Sequence, residues 1–323
     1  MGKRALAWGL LVLALQAALA WGQGGYPARP VHVIIPFPPG GTNDQVMRAV
    51  GEKFLQVTGQ PFIIDNRGGG SGIIGTEAVA RAEPDGYSIG YVSMSNLAIN
   101  PHLFKTLPYD PLRSFEPITR VAAATGVFAV NPAQPMQNVK EFIAWVKAHP
   151  GKMTVAANGV TDPTNVIILL MNKSMGLDLQ PVNYKGGVPA VQDFLGGHVP
   201  AIVNVVLGLK PLGLTGKARI LAVSRATRTA LLPDVPTFAE LGYPDIVVEF
   251  GGGLLAPAGT PKAVIDKLYA DVTRILAMPE VVQRVNAIGN DVLGGTPAEY
   301  RQAIHSELER WGSLVKALGW KAE

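Results

Sequence analysis

The chain has 323 residues, of which 48% are hydrophobic and 16% are charged. This balance excludes a disordered chain, because such chains combine low hydrophobicity with high net charge. The formal net charge of +4 comes from scattered basic residues, which argues against a nucleic-acid-binding surface. There is no cysteine, so disulfides, thiolate metal sites and cysteine nucleophiles are excluded.

The first twenty residues have the pattern of a secretory signal peptide. Two basic residues, Lys3 and Arg4, precede a short apolar stretch, and Ala18-Leu-Ala20 gives a small-x-small ending. The apolar stretch is shorter than the roughly 20 residues that a membrane span needs. We therefore expect residues 1–20 to be a signal peptide, cleaved after about Ala20, and the mature protein to be periplasmic.

Strands and helices are predicted to alternate in the next segment. Strands are expected at 31–37, 62–65 and 87–93. Two helices are expected between them, one that ends near residue 57 and one at 73–81. Thr42 and Gln45 have the spacing of a capping box, which predicts that the first helix begins near residue 43. The β-loop-α order indicates a parallel sheet in an α/β domain.

A second alternating set begins after about residue 125. Strands are predicted at 153–157, 179–184, 201–206 and 219–224, and helices around 139–146, 165–175 and 188–195. Residues 227–245 are rich in proline and turn residues and indicate a connector, and long helices are predicted within 262–278 and 296–318. The simplest architecture is two α/β lobes with a cleft between them, where the carboxyl ends of the strands carry the ligand.

A glycine-rich segment, residues 68–75, contains the Gly70-x-Gly72-x-x-Gly75 spacing of a dinucleotide-binding loop. The next strand ends in Ser93-Met-Ser95 without the carboxylate that a dinucleotide site needs. Two interpretations remain. The glycines either allow positive φ values and tight packing, or they expose backbone N–H groups at a helix start that binds an anion. Residues 38–44 repeat the pattern after the first strand, which favours a carboxylate or phosphate ligand.

The same segments carry a family resemblance. Pro36-Phe-Pro-Pro-Gly-Gly-Thr-Asn-Asp44 resembles the first-loop signature of the Bug family, the extracytoplasmic solute receptors of tripartite tricarboxylate transporters. Similar motifs follow in the family's order to the C-terminus, at 65–75, 83–87, 99–103, 107–110, 115–118, 184–187, 232–237 and 255–261.

The resemblance implies a periplasmic-binding-protein fold with two α/β lobes, a strand hinge and an interlobe ligand cleft. We expect one lobe to contain residues 26–124 and 247–323 and the other residues 125–246. The implied ligand is a small organic carboxylate, taken up through transporter membrane subunits or used for sensing. A monomer without cofactor or metal is expected.

Residue by residue, the resemblance places ligand-binding positions in three segments of the first lobe and in the second lobe. The first three segments contribute Phe37, Pro38, Gly40, Gly41 and Asp44, then Gly70, Ser71 and Gly72, then Ser93 and Ser95. The second lobe contributes Asn158, Thr161, Tyr184 and Asn204. This lobe lacks the histidine that family members often carry near residue 160, which suggests a ligand with a less polar far end. For Asp44 two roles remain open, a general acid or base and a support of the helix start.

The alternative function is an exported α/β enzyme that binds a phosphate or a nucleotide. The chain has no HExxH, GxSxG or P-loop motif. Its five histidines lie far apart in sequence and lack metal-ligand spacing. The sequence therefore favours a receptor over an enzyme.

Overall fold

The structure is a computed structural model that describes residues 25–160 and 162–318. The predicted signal peptide, residues 1–20, and the predicted site residue Thr161 lie outside the described residues. In chain order the elements are β1 (Val31–Ile35), α1 (Thr42–Thr58), β2 (Phe62–Asn66), α2 (Ile73–Ala80), β3 (Ser88–Ser93), α3 (Asn100–Leu103), β4 (Phe115–Val130), α4 (Val139–Ala148), β5 (Thr154–Ala157), α5 (Pro163–Met175), β6 (Gln180–Asn183), α6 (Gly187–Leu195), β7 (Ala201–Val205), α7 (Val206–Leu214), β8 (Arg219–Val223), β9 (Glu249–Pro257), α8 (Lys262–Leu276), α9 (Pro279–Ala287), β10 (Asn290–Gly294) and α10 (Pro297–Leu318).

The strands form one mixed sheet. Its order is β2-β1-β3-β9-β4-β7-β5-β6, and β10 and β8 also pair with β4. The predicted parallel pairing is found among β1, β2 and β3 and again among β5, β6 and β7. The centre of the sheet lies outside that prediction, and there β9 and β4 run antiparallel to their neighbours.

Strand β4 connects two groups of strands because it changes partners along its length. Residues 115–125 pair with β9, and residues 126–130 pair with β7. At the change, Ser224 N donates to Gly126 O at 2.9 Å and Val248 N donates to Ser224 O at 3.0 Å. The lobe ranges expected from the sequence, 26–124 with 247–323 and 125–246, stay a prediction. The point at which β4 changes partners, residues 125–126, coincides with the expected boundary between the lobes.

The carboxyl ends of the two groups of parallel strands point toward each other along β4. Ser93, the last residue of β3, pairs with Gly252 of β9, which pairs in turn with Ala122 of β4. Val205, the last residue of β7, pairs with Gly126 of β4 and approaches from the opposite direction. The two strand ends thus lie opposite Ala122 and Gly126 of β4, which are four residues apart, or about 13 Å at the usual rise of about 3.3 Å per residue. The loops that follow β1 to β3 and β5 to β7 therefore project toward a common gap.

Helices cover both faces of the first strand group. Val33, Phe54 and Leu268 share a core between the sheet and helices α1 and α8, and Tyr300 and Ile304 of α10 pack on the other face. Burying each large apolar side chain contributes roughly 1.5–3 kcal/mol. Among the helices of residues 25–160 and 162–318, none has the length and apolarity needed to cross a bilayer.

A glycine in α2 fixes how closely this helix approaches the two glycine-rich loops. A Cβ at Gly75 would lie 2.6 Å from Arg67 O and 2.6 Å from Pro36 Cα. Both atoms belong to the main chain, so a side chain at this position requires the backbone to move.

We predict that Gly75→Ala lowers the free energy of unfolding by about 1–3 kcal/mol, because overpacking against main-chain atoms cannot be relieved by a rotamer change. Urea-induced unfolding followed by circular dichroism measures the difference. Gly51→Ala is the matched control, since Gly51 also lies inside a helix and its Cβ would lie 3.4 Å from Phe62 Cβ. Alanine there is expected to be neutral or stabilising by up to about 1 kcal/mol. Equal effects of the two substitutions would contradict the packing argument.

Candidate functional site

The first loop, residues 36–41, carries the chain from β1 into α1. Gly41 is the N-cap residue, and Gln45 N donates to Gly41 O at 3.0 Å as the first bond of the helix. The first four N–H groups of an α-helix have no acceptor within the helix, and the helix dipole adds partial positive charge there. The predicted capping box is wrong, because Gly41 has no side chain to cap with and the Gln45 amide donates to Gly40 O at 3.0 Å.

Asp44 supports this loop with a carboxylate that is already fully engaged. Its Oδ2 accepts from Gly40 N at 3.0 Å and from Arg48 Nε at 2.8 Å, and its Oδ1 accepts from Arg48 Nη2 at 3.0 Å. The Arg48 guanidinium, helped by the Gly40 N–H, lowers the pKa of Asp44 below its ordinary value. This arrangement matches a support of the helix start rather than a general acid or base. It also occupies the N–H of Gly40, which is therefore not free to bind a ligand.

The first and second loops touch each other. Asn66 Nδ2 donates to Phe37 O at 3.2 Å, and Arg67 N donates to Ile35 O at 2.8 Å. A Cβ at Gly68 would lie 3.2 Å from the Pro38 ring. Phe37 and Pro38 are thus placed against the segment that leads into residues 70–72.

The second loop turns sharply before α2. Residues Gly70–Gly72 form a 3₁₀ turn with φ values of +55° at Gly70, +54° at Ser71 and +82° at Gly72. The N–H of Gly72 donates to Gly69 O at 3.0 Å. A Cβ at Gly72 would lie 2.4 Å from Asn96 Nδ2, so glycine is required here for a close approach. Like Gly40, Gly72 shapes the site while its own N–H is used within the protein.

The third loop follows β3 and contacts the second. Ser95 N donates to Ser93 Oγ at 3.2 Å, which leaves both predicted serines beside the strand end. A π-helical turn, Ser95–Ile99, then brings Asn96 against Ser71, with Asn96 Nδ2 donating to Ser71 O at 2.7 Å. Sequence reasoning placed the loop of residues 93–96 at the pocket and selected its two serines, but it gave no role to the amides of Asn96 and Asn100. The Asn-x-x-x-Asn spacing, which places both amides on one side of a helical turn, was the available signal.

The second strand group brings Asn158 and Asn204 together at the start of α6. Gly186 N donates to Asn158 O at 2.8 Å, and a Cβ at Gly187 would lie 3.4 Å from Asn158 Oδ1. Asn204 Nδ2 donates to Gly187 O at 3.3 Å, and Asn204 Oδ1 accepts from Val205 N at 2.7 Å.

The Tyr184 side chain instead reaches the second half of α6, where its hydroxyl is bound within the protein. It donates to Asp193, and burial together with this carboxylate raises the pKa of Tyr184 to about 12. The side chains of Tyr184 and Asn204 therefore already have protein partners.

Two cavities lie outside these clusters. One of about 690 Å³ opens at residues 101–114 and Leu308, and one of about 230 Å³ lies between β4, β9 and α10. No predicted site residue lines either of them. Within the part of the chain that the structure describes, no group of three side chains is suited to hold a metal ion.

Known proteins resemble this chain in sequence and in fold. The family model of the tripartite tricarboxylate transporter family receptor, TctC, matches residues 46–320. The periplasmic binding protein BugD is 33% identical and superimposes with a TM-score of 0.79, covering 92% of this chain and 100% of BugD. This similarity confirms the predicted periplasmic-binding-protein fold.

Two further solved structures contain carboxylates. Rpa4515 of R. palustris, solved with adipate, is 29% identical, with a TM-score of 0.81 over 91% of this chain and 98% of that one. MatC of Rhodopseudomonas palustris, solved with bound malate, is 29% identical, with a TM-score of 0.77 over 90% of this chain and 100% of that one.

We predict that Asp44→Asn lowers the free energy of unfolding at neutral pH by about 1–3 kcal/mol, because the amide keeps the shape but loses the charge that binds Arg48. The pKa of Asp44 is lower in the folded state than in the unfolded state. Its contribution is therefore complete above the ordinary carboxyl pKa and is lost as the pH falls through the depressed folded value.

Urea unfolding at several pH values tests this prediction, and the difference between wild type and Asp44→Asn should shrink on acidification. Asp266→Asn is the control, since Asp266 forms an exposed pair with Lys262 and should contribute little. A difference that does not change with pH would contradict the assigned role of the Asp44 charge.

Proposed function

This chain belongs to the tripartite tricarboxylate transporter receptor family, a family of solute-binding receptors rather than enzymes, and we propose that it captures a small organic carboxylate in the periplasm for uptake or sensing. Family membership argues against the alternative of an exported enzyme. In the transport case, its partners are the membrane subunits of such a transporter.

The main support for carboxylate binding is that the loop at the start of α1 and the glycine-rich loop lie beside the same gap between the two strand groups. The first loop contacts the second and the second contacts the third, and they follow strands whose carboxyl ends face those of the other strand group. The free N–H groups at the start of α1 attract an anion without a cationic side chain. We place one carboxylate of the ligand over the segment from Gly41 into the first turn of α1, beside the loop of Gly70 and Ser71.

We further propose that two lobes close over the ligand. The lobes are residues 26–124 with 247–323, and residues 125–246. Strand β4 passes between them at residues 125–126. A hinge motion there brings the loops of Asn158 and Asn204 onto the far end of the ligand. The ligand drives closure only through contacts that it makes better in the closed state.

The second strand group favours a ligand whose far end has low polarity. Tyr184 and Asn204 already use their polar side-chain atoms within the protein. Val188, in the first turn of α6, is 72% exposed next to Gly187. Adipate, the ligand solved with Rpa4515, has an unsubstituted chain of this kind.

We predict that adipate binds at least tenfold more tightly than citrate, because hydroxylated tricarboxylates would bury polar groups opposite Val188 without partners. Isothermal titration calorimetry of the mature protein with both compounds measures the ratio. Tight binding of citrate with weak binding of adipate would refute the low-polarity assignment, while leaving the carboxylate proposal in place.

We further predict that Gly41→Asp weakens adipate binding at least tenfold without lowering the melting temperature of the free protein. Gly41 has φ −71° and ψ 171°, and a Cβ would meet only Pro38 O, at 3.6 Å. Aspartate is a favoured N-cap, so the helix is not weakened, but its charge repels a carboxylate at the same place.

Gly41→Ala is the matched control, because alanine adds the same Cβ without a charge and without an oxygen that would accept from the N–H groups of the helix start. It should keep most of the affinity. A thermal-shift screen with adipate, malate, AMP and inorganic phosphate accompanies the titration, since a bound ligand raises the melting temperature by mass action. Stabilisation by AMP or phosphate alone would overturn the proposed ligand class, and equal affinities of the two variants would overturn the position of the carboxylate.

A further inference from the structure

Ser71 has an unfavourable backbone conformation at the point where the second loop enters α2. Its φ of 54° and ψ of 33° lie in the left-handed region. Among residues 25–160 and 162–318, no other residue with a side chain has a positive φ. Such a conformation disfavours a residue with a Cβ and persists when surrounding contacts enforce it.

Two amide side chains from another segment hold this residue. Asn96 Nδ2 donates to Ser71 O at 2.7 Å, and Asn100 Nδ2 donates to the same oxygen at 3.1 Å. Both asparagines are almost fully buried, with exposures of 1% and 2%. The Tyr109 hydroxyl donates to Asn96 O at 2.8 Å and so fixes the turn that carries the first amide.

The orientation of the Asn96 amide follows from its acceptor. Its Oδ1 is buried without a hydrogen-bond partner. Exchanging the nitrogen and oxygen positions would place Oδ1 against the Ser71 carbonyl and remove the 2.7 Å bond. The observed orientation therefore keeps the amide donor on the Ser71 carbonyl.

The second loop needs such a restraint because its own residues define it poorly. Gly69, Gly70 and Gly72 all have positive φ values. Glycine adopts positive and negative φ about equally, so local sterics alone allow many paths for these residues. A clamp on the carbonyl of Ser71, in the middle of the turn, selects one of them.

We propose that Asn96 and Asn100 are positioning residues for carboxylate binding, which hold residues 69–72 in the binding conformation by clamping the Ser71 carbonyl. This inference rests on the proposed function, because it assigns the conformation of the second loop to ligand binding. It also links the third loop to the second, so a ligand that contacts Ser93 or Ser95 meets a second loop whose geometry the same segment has set.

The first test needs no ligand. Hydrogen exchange of the Gly72 N–H, which donates to Gly69 O inside the turn, reports whether the loop keeps its shape. Asn96→Ala and Asn100→Ala should each accelerate this exchange at least tenfold. Asn131→Ala is the control, since Asn131 Nδ2 donates to Phe194 O at 3.2 Å beyond the far end of β4. Unchanged exchange in both clamp variants would overturn the inference.

The second test separates positioning from direct contact with the ligand. Asn100→Ala should weaken adipate binding at least fivefold, and Ser71→Asn added to Asn100→Ala should restore part of that affinity, because asparagine tolerates the left-handed conformation better than serine without the added freedom of a further glycine. The single variant Ser71→Asn provides the reference for the lost hydroxyl. Absence of rescue would overturn the positioning role. If Asn96→Ala fails to fold, Asn100→Ala, which removes the longer of the two bonds, carries both tests.

The two tests also separate this inference from the proposed function. Accelerated exchange in a protein whose wild type binds no carboxylate would refute carboxylate capture while supporting the clamp on Ser71. Weakened adipate binding without accelerated exchange would support carboxylate capture and refute the clamp.

Discussion

An anion over the first two loops must find its hydrogen-bond donors mainly in the backbone, because the two arginines nearest in sequence to these loops are already paired. Arg48 binds Asp44, and Arg67 binds Asp65 at 2.8 Å. The remaining donors are N–H groups at the start of α1 and in the glycine-rich loop, where partial charge and fixed geometry replace a full positive charge. Such a site suits a carboxylate shared by many ligands, since it recognises charge and shape rather than the rest of the molecule.

The supporting residues act on this backbone rather than on the ligand. Asp44 accepts a hydrogen bond from the Gly40 N–H, and Gly75 allows α2 to pack closely against Pro36 and Arg67. Asn96 and Asn100 both donate to the Ser71 carbonyl. Each contact joins two loops or a loop and a helix, so the three segments form one unit on the first strand group. In the proposed function, choice among carboxylates is left to the second strand group, which is proposed to reach the ligand by a hinge motion in β4.

Much of the architecture could be predicted, because apolar runs ended by glycine or proline define β1, β2, β3 and the helices between them. The central strands were missed for a physical reason. Residues 122–124 of β4 are alanines and residues 251–253 of β9 are glycines. A Cβ at Gly253 would lie 2.6 Å from Thr119 O. Small residues allow this close pairing, but in a sequence they indicate a helix or a loop. The family resemblance indicated the loops of the proposed site, whereas the internal use of the Gly40 and Gly72 N–H groups depends on φ values and tertiary contacts.

A crystal structure of the mature protein with bound adipate tests the central claim most directly. The account predicts one carboxylate within hydrogen-bond distance, directly or through one ordered water, of N–H groups in residues 41–44 and beside residues 70–71. The aliphatic chain should extend toward Asn158 and Val188. Adipate bound elsewhere, or a carboxylate held mainly by Arg or Lys side chains, would contradict the account.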